Sequence, residues 1–268
     1  MKKYLHVANV GLQNTLVYRV NFFFRAAFGL VPLMATIFIW QAVYAGKTSG
    51  DDVAGYTLAQ MISYYLIVTV VNTFTAVTED DWQIAADIKD GNISQFLLKP
   101  IDYLTYRLVL FASGRFIYTL VAIIPVSIFI FFQRDFFVGP ASGTHLGVFM
   151  ISLVLTALLQ FLISYTLALL AFWVLEVSTF IFIAFAVEYA ASGQLYPLDI
   201  LPPLITKLMF FTPFPYLMFF PVNVYLGKMN GNELWAGLAM QAFWVAMAYL
   251  LARWVWARGI KRYSAVGG

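Results

Sequence analysis

Long apolar runs separated by short polar breaks govern what this chain can become. They occupy roughly residues 22–44, 56–77, 104–132, 146–175, 179–191 and 234–256. An apolar helix needs about 20 residues to cross a bilayer core. In lipid every backbone N–H and C=O must find its partner inside the protein, which makes such runs helices. With 268 residues nearly consumed by spans, no segment is left for a separate soluble core, and a single membrane domain over 1–268 is expected. The predicted fold is an all-α polytopic membrane protein with six transmembrane helices. Only 11% of its residues are charged, against roughly a quarter in soluble domains.

Composition also removes several kinds of chemistry. The chain has no cysteine and two histidines, His6 and His145. Disulfides, thiol nucleophiles and histidine metal clusters are therefore not expected. Without a recognisable catalytic triad the chain does not read as an enzyme, and no bound cofactor is expected. The net charge of +3 requires no nucleic-acid partner, because the basic residues sort by side. Lys2, Lys3, Arg19, Arg25, Lys89, Lys99, Arg107, Arg115, Arg253, Arg258, Lys261 and Arg262 fall on one side of a six-span chain, and Lys47, Arg134, Lys207 and Lys228 on the other. Twelve against four places both termini in the cytoplasm.

Three stretches depart from simple spans. In 1–20, Leu5, Ala8, Leu12 and Leu16 recur at helical spacing opposite His6, Asn9 and Gln13, the pattern of an elbow helix lying in the membrane interface. Residues 1–19 are too polar for the core of a signal peptide, so the N-terminus is expected to be retained. In 104–132 the run exceeds one span, and its first turns, with Arg107 and Arg115, are expected to lie in the inner interface with both side chains reaching toward water. In 192–232, Pro197, Pro202, Pro203, Pro213, Pro215 and Pro221 interrupt an apolar, aromatic context. Irregular backbone at membrane depth persists only inside protein or beside water, so an outer re-entrant hairpin of two half-helices is expected; a loop resting on the outer leaflet fits the same pattern. Phe214 and Tyr216, within its aromatic cluster, are candidates to line a path through the membrane, although aromatics in such a chain mostly face lipid or the core. Glu188 in the fifth run is another candidate, since an intramembrane acid costs about 2.5–3.5 kcal/mol. Substrate contact, proton carriage, or a plain hydrogen bond to Gln160 or Tyr189 would each account for it.

The remaining polar passage, 78–100, is the candidate cytoplasmic contact element. Thr78 and Asp81 make a capping-box pattern, Trp82, Ile84, Ala85 and Ile88 an apolar stripe, and Asp87 with Lys89 a wet face. Asp90-Gly91-Asn92 stops that helix before a second short turn carrying Ile93 and Leu97, which Pro100 closes. Two amphipathic turns at a membrane surface form a docking site, although an interfacial loop resting on headgroups has the same pattern.

At this point a resemblance becomes specific. The segment DIKDGNISQFLLKPIDYLTYR after the second span, then SGQLYPLDILPP, TPFPYLMFFPVNVYLG, a Trp-containing last span and RYSAVGG together resemble the ABC-2 type permeases, in their viologen-exporter-like branch. The likeness runs over essentially the whole chain. It implies a membrane-spanning permease subunit of an ATP-driven exporter in the bacterial cytoplasmic (inner) membrane, paired with a second permease in a homo- or heterodimer and moving a hydrophobic or amphiphilic substrate. It also implies a separate ABC ATPase dimer holding ATP and Mg, since no GxxxxGK[ST] motif occurs here. Trp82, Ile84, Asp87, Ile88, Gly91, Ile93 and Leu97 would then meet the ATPase. Two other classes stay open: a proton-coupled secondary carrier, which calls for paired intramembrane acids or inverted repeats, and a non-transporting scaffold whose polar element recruits another cytoplasmic protein.

Overall fold

The computed structural model describes residues 2–46, 52–77, 80–174 and 176–263. The expected cap at Thr78 therefore lies outside the described residues, as do 47–51 and 264–268. The helices are α1 Lys2–Leu16, α2 Arg19–Ala45, α3 Leu58–Thr75, α4 Asp80–Lys89, α5 Ile93–Leu97 and α6 Tyr103–Phe132. They continue as α7 Gly143–Ala168, α8 Ser178–Ala191, α9 Pro203–Met209, α10 Phe219–Tyr225 and α11 Gly231–Gly259. Among the described residues five are long and apolar enough to cross a membrane: α2, α3, α6, α11, and α7 with its 3-10 extension to Phe172. Pro32 and Pro125 sit inside α2 and α6 without ending them, as neighbouring helices in a membrane bundle allow.

The expected fifth span differs. Helix α8 has 14 residues, about 21 Å at 1.5 Å per residue, which falls short of a hydrocarbon core of about 30 Å. It stops at Ser192-Gly193, where Gly193 takes φ +90°, a conformation that a side chain penalises. The chain then travels on as irregular backbone held by hydroxyls from α3 and the residues before it. Tyr64 OH donates to Gly193 O at 2.6 Å and Tyr65 OH to Leu195 O at 3.1 Å. Tyr56 OH lies 2.7 Å from both Asp199 Oδ2 and Asn223 Oδ1.

The described ends of the chain meet at one end of the bundle. Tyr4 OH accepts from Asp102 N–H at 3.2 Å, and Tyr263 OH donates to Gly91 O at 3.2 Å. Of α1 only Gly11 is buried, where the helix lies against Leu110 and Ser113 of α6. Two apolar cores result. The core at the far end gathers Tyr56, Met61 and Tyr64 around α10, all seven residues of which are buried. The core at the terminal end packs α4 and α5 against Tyr103, Phe111, Phe161, Tyr165 and Leu169. Helix α7 runs through both, with Leu159 in the first and Phe161 in the second. Gln160 stands at the join.

Candidate functional site

The contact element forms the two short helices its pattern predicts, with the break at Gly91, where φ is +76°. Tertiary packing then decides which faces are available. Ile84, Ala85, Ile88 and Ile93 turn inward and are buried in the terminal-end core. Turned outward are Trp82, 47% exposed, Leu97, 48%, and Leu98, 89%. Asp87, expected on a wet face, instead pairs with Arg107, whose side chain is nearly inaccessible. Arg107 also donates to Tyr103 OH at 3.0 Å and to Gln83 Oε1 at 3.2 Å, while Tyr103 OH donates to Asp87 Oδ2 at 2.7 Å. Arg107 therefore does not reach for water as expected: a carboxylate one helix away satisfies it better, because a buried cation without a partner is costly. Arg115 likewise turns to protein, donating to Thr73 O at 3.3 Å.

Just outside the α6 span, Asp102 caps the helix by accepting from Thr105 N–H at 3.0 Å and Thr105 OH at 2.6 Å, and pairs with Arg253 of α11. Partial burial works to raise its carboxyl, but the Thr105 hydrogen bonds and the Arg253 guanidinium outweigh that and hold it below the usual carboxylate range. The element is thus fixed to α6 by Arg107, and the N-terminus of α6 to α11 by Arg253. A displacement of α4 would pull on α6.

The expected path residues lie at the junction of the two cores and above it. Of the partners open to Glu188, the structure supplies Gln160, whose Nε2 donates to Glu188 Oε1 at 2.8 Å. These two groups line a cavity of about 270 Å³ with Asn72, Phe185, Gln194 and Met218. Tyr216 is buried and Phe214 half-buried against the far-end core, so neither shares that cavity; Tyr216 instead lines a second one, of about 370 Å³, with Phe210, Phe220 and Met240. The backbone turn at Tyr216 is held by Gln241 of α11, which is fully buried. Its Nε2 lies 2.9 Å from Tyr216 O and 2.9 Å from Thr156 Oγ1, and Ser152 OH donates to its Oε1 at 2.9 Å.

Sequence reasoning passed over Gln241 and the hydroxyls of Tyr56 and Tyr64. A signal was present, since a glutamine within an apolar run and tyrosines facing a proline-rich segment are the donors that irregular membrane backbone requires. Among the described residues no cluster of three or more metal-ligating side chains forms. The sequence model described as an ABC-2 family transporter protein matches residues 30–267 of this chain. No curated protein matches it.

Proposed function

The chain belongs to the ABC-2 transporter family, which makes it a multi-pass membrane permease of an ABC transporter, and from that premise we propose an exporter subunit driven by a separate ATPase. The observation that carries the reading beyond the family is the α4–α5 element, braced from within by Asp87 and Arg107 while presenting Trp82 and Leu97 outward. In this reading Trp82 and Leu97 touch the ATPase. Ile84, Asp87, Ile88 and Ile93 hold the element so that force passes into α6, and Gly91 sets the turn between its helices. ATP and Mg²⁺ belong to the partner, and a second permease chain completes the path.

The same reading gives the chain six crossings, with the short α8 as the fifth, α1 as the interfacial elbow, and 192–232 as an outer re-entrant hairpin. Twelve of sixteen basic residues on one side support cytoplasmic termini, and the resemblance to the ABC-2 permeases implies the inner membrane of a bacterium. The viologen-exporter-like branch rests on the segments quoted above and favours a hydrophobic or amphiphilic substrate, passing Glu188 and then the aromatic residues around Phe214 and Tyr216. An Asn92→Cys chain should resist an impermeant thiol reagent in intact cells while Ser142→Cys reacts; the reverse pattern would invert the orientation.

Co-purification tests the main claim. The chain, co-expressed with a candidate ATPase subunit, should retain it through purification, and replacing Trp82 and Leu97 together by Ala should release it at unchanged permease yield. Because Ile88 is buried and Gly91 has positive φ, substitutions there test folding before they test contact. Retention of the ATPase by the Trp82/Leu97 variant at parental yield would place the contact elsewhere.

A further inference from the structure

Helix α11 has 29 residues, about 43 Å at 1.5 Å per residue, so it overshoots a hydrocarbon core of about 30 Å and its ends reach headgroup level. Its C-terminal end and the turns that follow carry Arg253, Arg258, Lys261 and Arg262. Arg253 pairs with Asp102. The other three are exposed, and among the described residues none of them makes an ion pair. Cations here complement the negative end of the helix, and that alone would account for their charge in any direction they pointed. Their directions are shared, however. Together with Trp254, which precedes Arg258 by four residues and Arg262 by eight, all three line one groove of about 630 Å³.

The opposite wall of the groove is Leu170 and Trp173, from the 3-10 extension of α7 and the residue after it. Close packing fixes that wall against α11. Gly259 makes room for the Phe172 ring, which a Cβ would meet at 2.2 Å, and Phe172 packs edge-on against both Trp173 and Trp256. Trp173 and Trp254 remain exposed, and the Arg258 guanidinium lies 5.3 Å from the centre of the Trp254 ring, so positive charge adjoins apolar surface. Among the described residues no carboxylate lines the groove. An apolar cleft with a positive mouth at headgroup level matches a ligand that is anionic at one end and hydrocarbon at the other. We propose that this groove binds an anionic phospholipid. Its phosphate sits among Arg258, Lys261 and Arg262, and its acyl chains run between Trp254 and Val255 on one side and Leu170 and Trp173 on the other. Placement in the cytoplasmic leaflet rests on the count of basic residues; binding itself does not.

The test uses the purified full chain in detergent, supplied with one defined lipid at a time and read by native mass spectrometry. Phosphatidylglycerol should be retained about tenfold more strongly than phosphatidylcholine with the same acyl chains, whose choline cation offsets its phosphate. Arg258→Gln with Arg262→Gln should bring the two lipids level, since each cation facing an anionic lipid surface is worth about fivefold in affinity. Trp254→Ala should weaken retention of both lipids by a similar factor, because it removes apolar contact and no charge. Lys2→Gln with Arg19→Gln removes the same charge from outside the groove and should leave the preference intact. Every side chain substituted here is exposed, so the variants test binding and not folding. Glycerol phosphate has the headgroup chemistry without the chains and should not displace the lipid; displacement would make the occupant a free anion and overturn the lipid assignment. Equal retention of the two lipids by the parent, or an unchanged preference in the Arg258/Arg262 variant, would overturn the site. An equal loss in the Lys2/Arg19 variant would overturn it too, by showing attraction to basic surface in general.

Discussion

At the far end of the bundle side-chain donors, most of them neutral, hold irregular backbone in place, whereas at the terminal end a charge pair ties the regular helix α4 to α6. The far end needs many donors because its chain leaves carbonyls unpaired: those of Gly193, Leu195 and Tyr216 are met by Tyr64, Tyr65 and Gln241. Each donor comes from a distant part of the chain, and each bond replaces a backbone bond that a continuous helix would have made. The terminal end has such carbonyls too, those of Gly91 and Pro100 being met by Tyr263 and Lys3. There, α4 makes its own hydrogen bonds and is attached chiefly by apolar burial and by Asp87 to Arg107. Distributed, mostly neutral bonds suit a part that keeps its shape, and attachment of α4 through one ion pair suits a helix that moves as a body.

That contrast predicts unequal responses to single substitutions. Arg107→Ala should have the largest effect, about 3–5 kcal/mol, because it strands Asp87 against a buried face. The measurement is unfolding of the detergent-solubilised chain by heat or denaturant, and the loss should localise to 80–107 in hydrogen exchange. A loss spread evenly over the bundle would break the comparison. Gln241→Leu comes second, at about 1–2 kcal/mol, since the bonds to Tyr216, Thr156 and Ser152 are neutral and the membrane-embedded reference state finds partial substitutes. Its exchange signature should appear around 213–225 and leave α4 protected. If it destabilised the chain more than Arg107→Ala, the far end would be the more fragile region.

Asp102→Asn should have the smallest effect, about 0.5–1 kcal/mol at neutral pH, because the pair with Arg253 is well exposed on both sides. The sign of its pH dependence follows from the depressed carboxyl. Stability from this group is complete above the ordinary carboxylate range and is lost as pH falls through the lower value it holds in the folded chain. The parent should therefore lose more stability on acidification than Asp102→Asn does. Parallel acid profiles for the two chains would show that Asp102 adds nothing to the terminal end beyond its helix cap.

The contact element shows how far local pattern carries. Helix α4, the stop at Gly91 and the short α5 were legible because helical periodicity and the glycine both act within a few residues. The same stripe could not reveal its destination. Ile84 and Ile88 face the chain's own core because Tyr103 and Tyr165 are there to receive them, and Trp82 is left outside because its position on the helix points away from that contact. The prolines of 192–232 correctly denied a simple span. They did not disclose that all seven residues of α10 would be buried.

By itself the sequence determined the class of molecule and most of its long apolar helices, since each depends on the length and chemistry of one contiguous stretch. Only the tertiary structure decided that Asp87 meets Arg107, that Glu188 meets Gln160, and that Tyr56 meets Asn223, pairs separated by 20, 28 and 167 positions. Such partners are chosen by how helices cross and by which buried polar group lacks a neighbour. That choice is settled by the free energy of the assembled bundle, where an unpaired group is costly, and no single segment contains it.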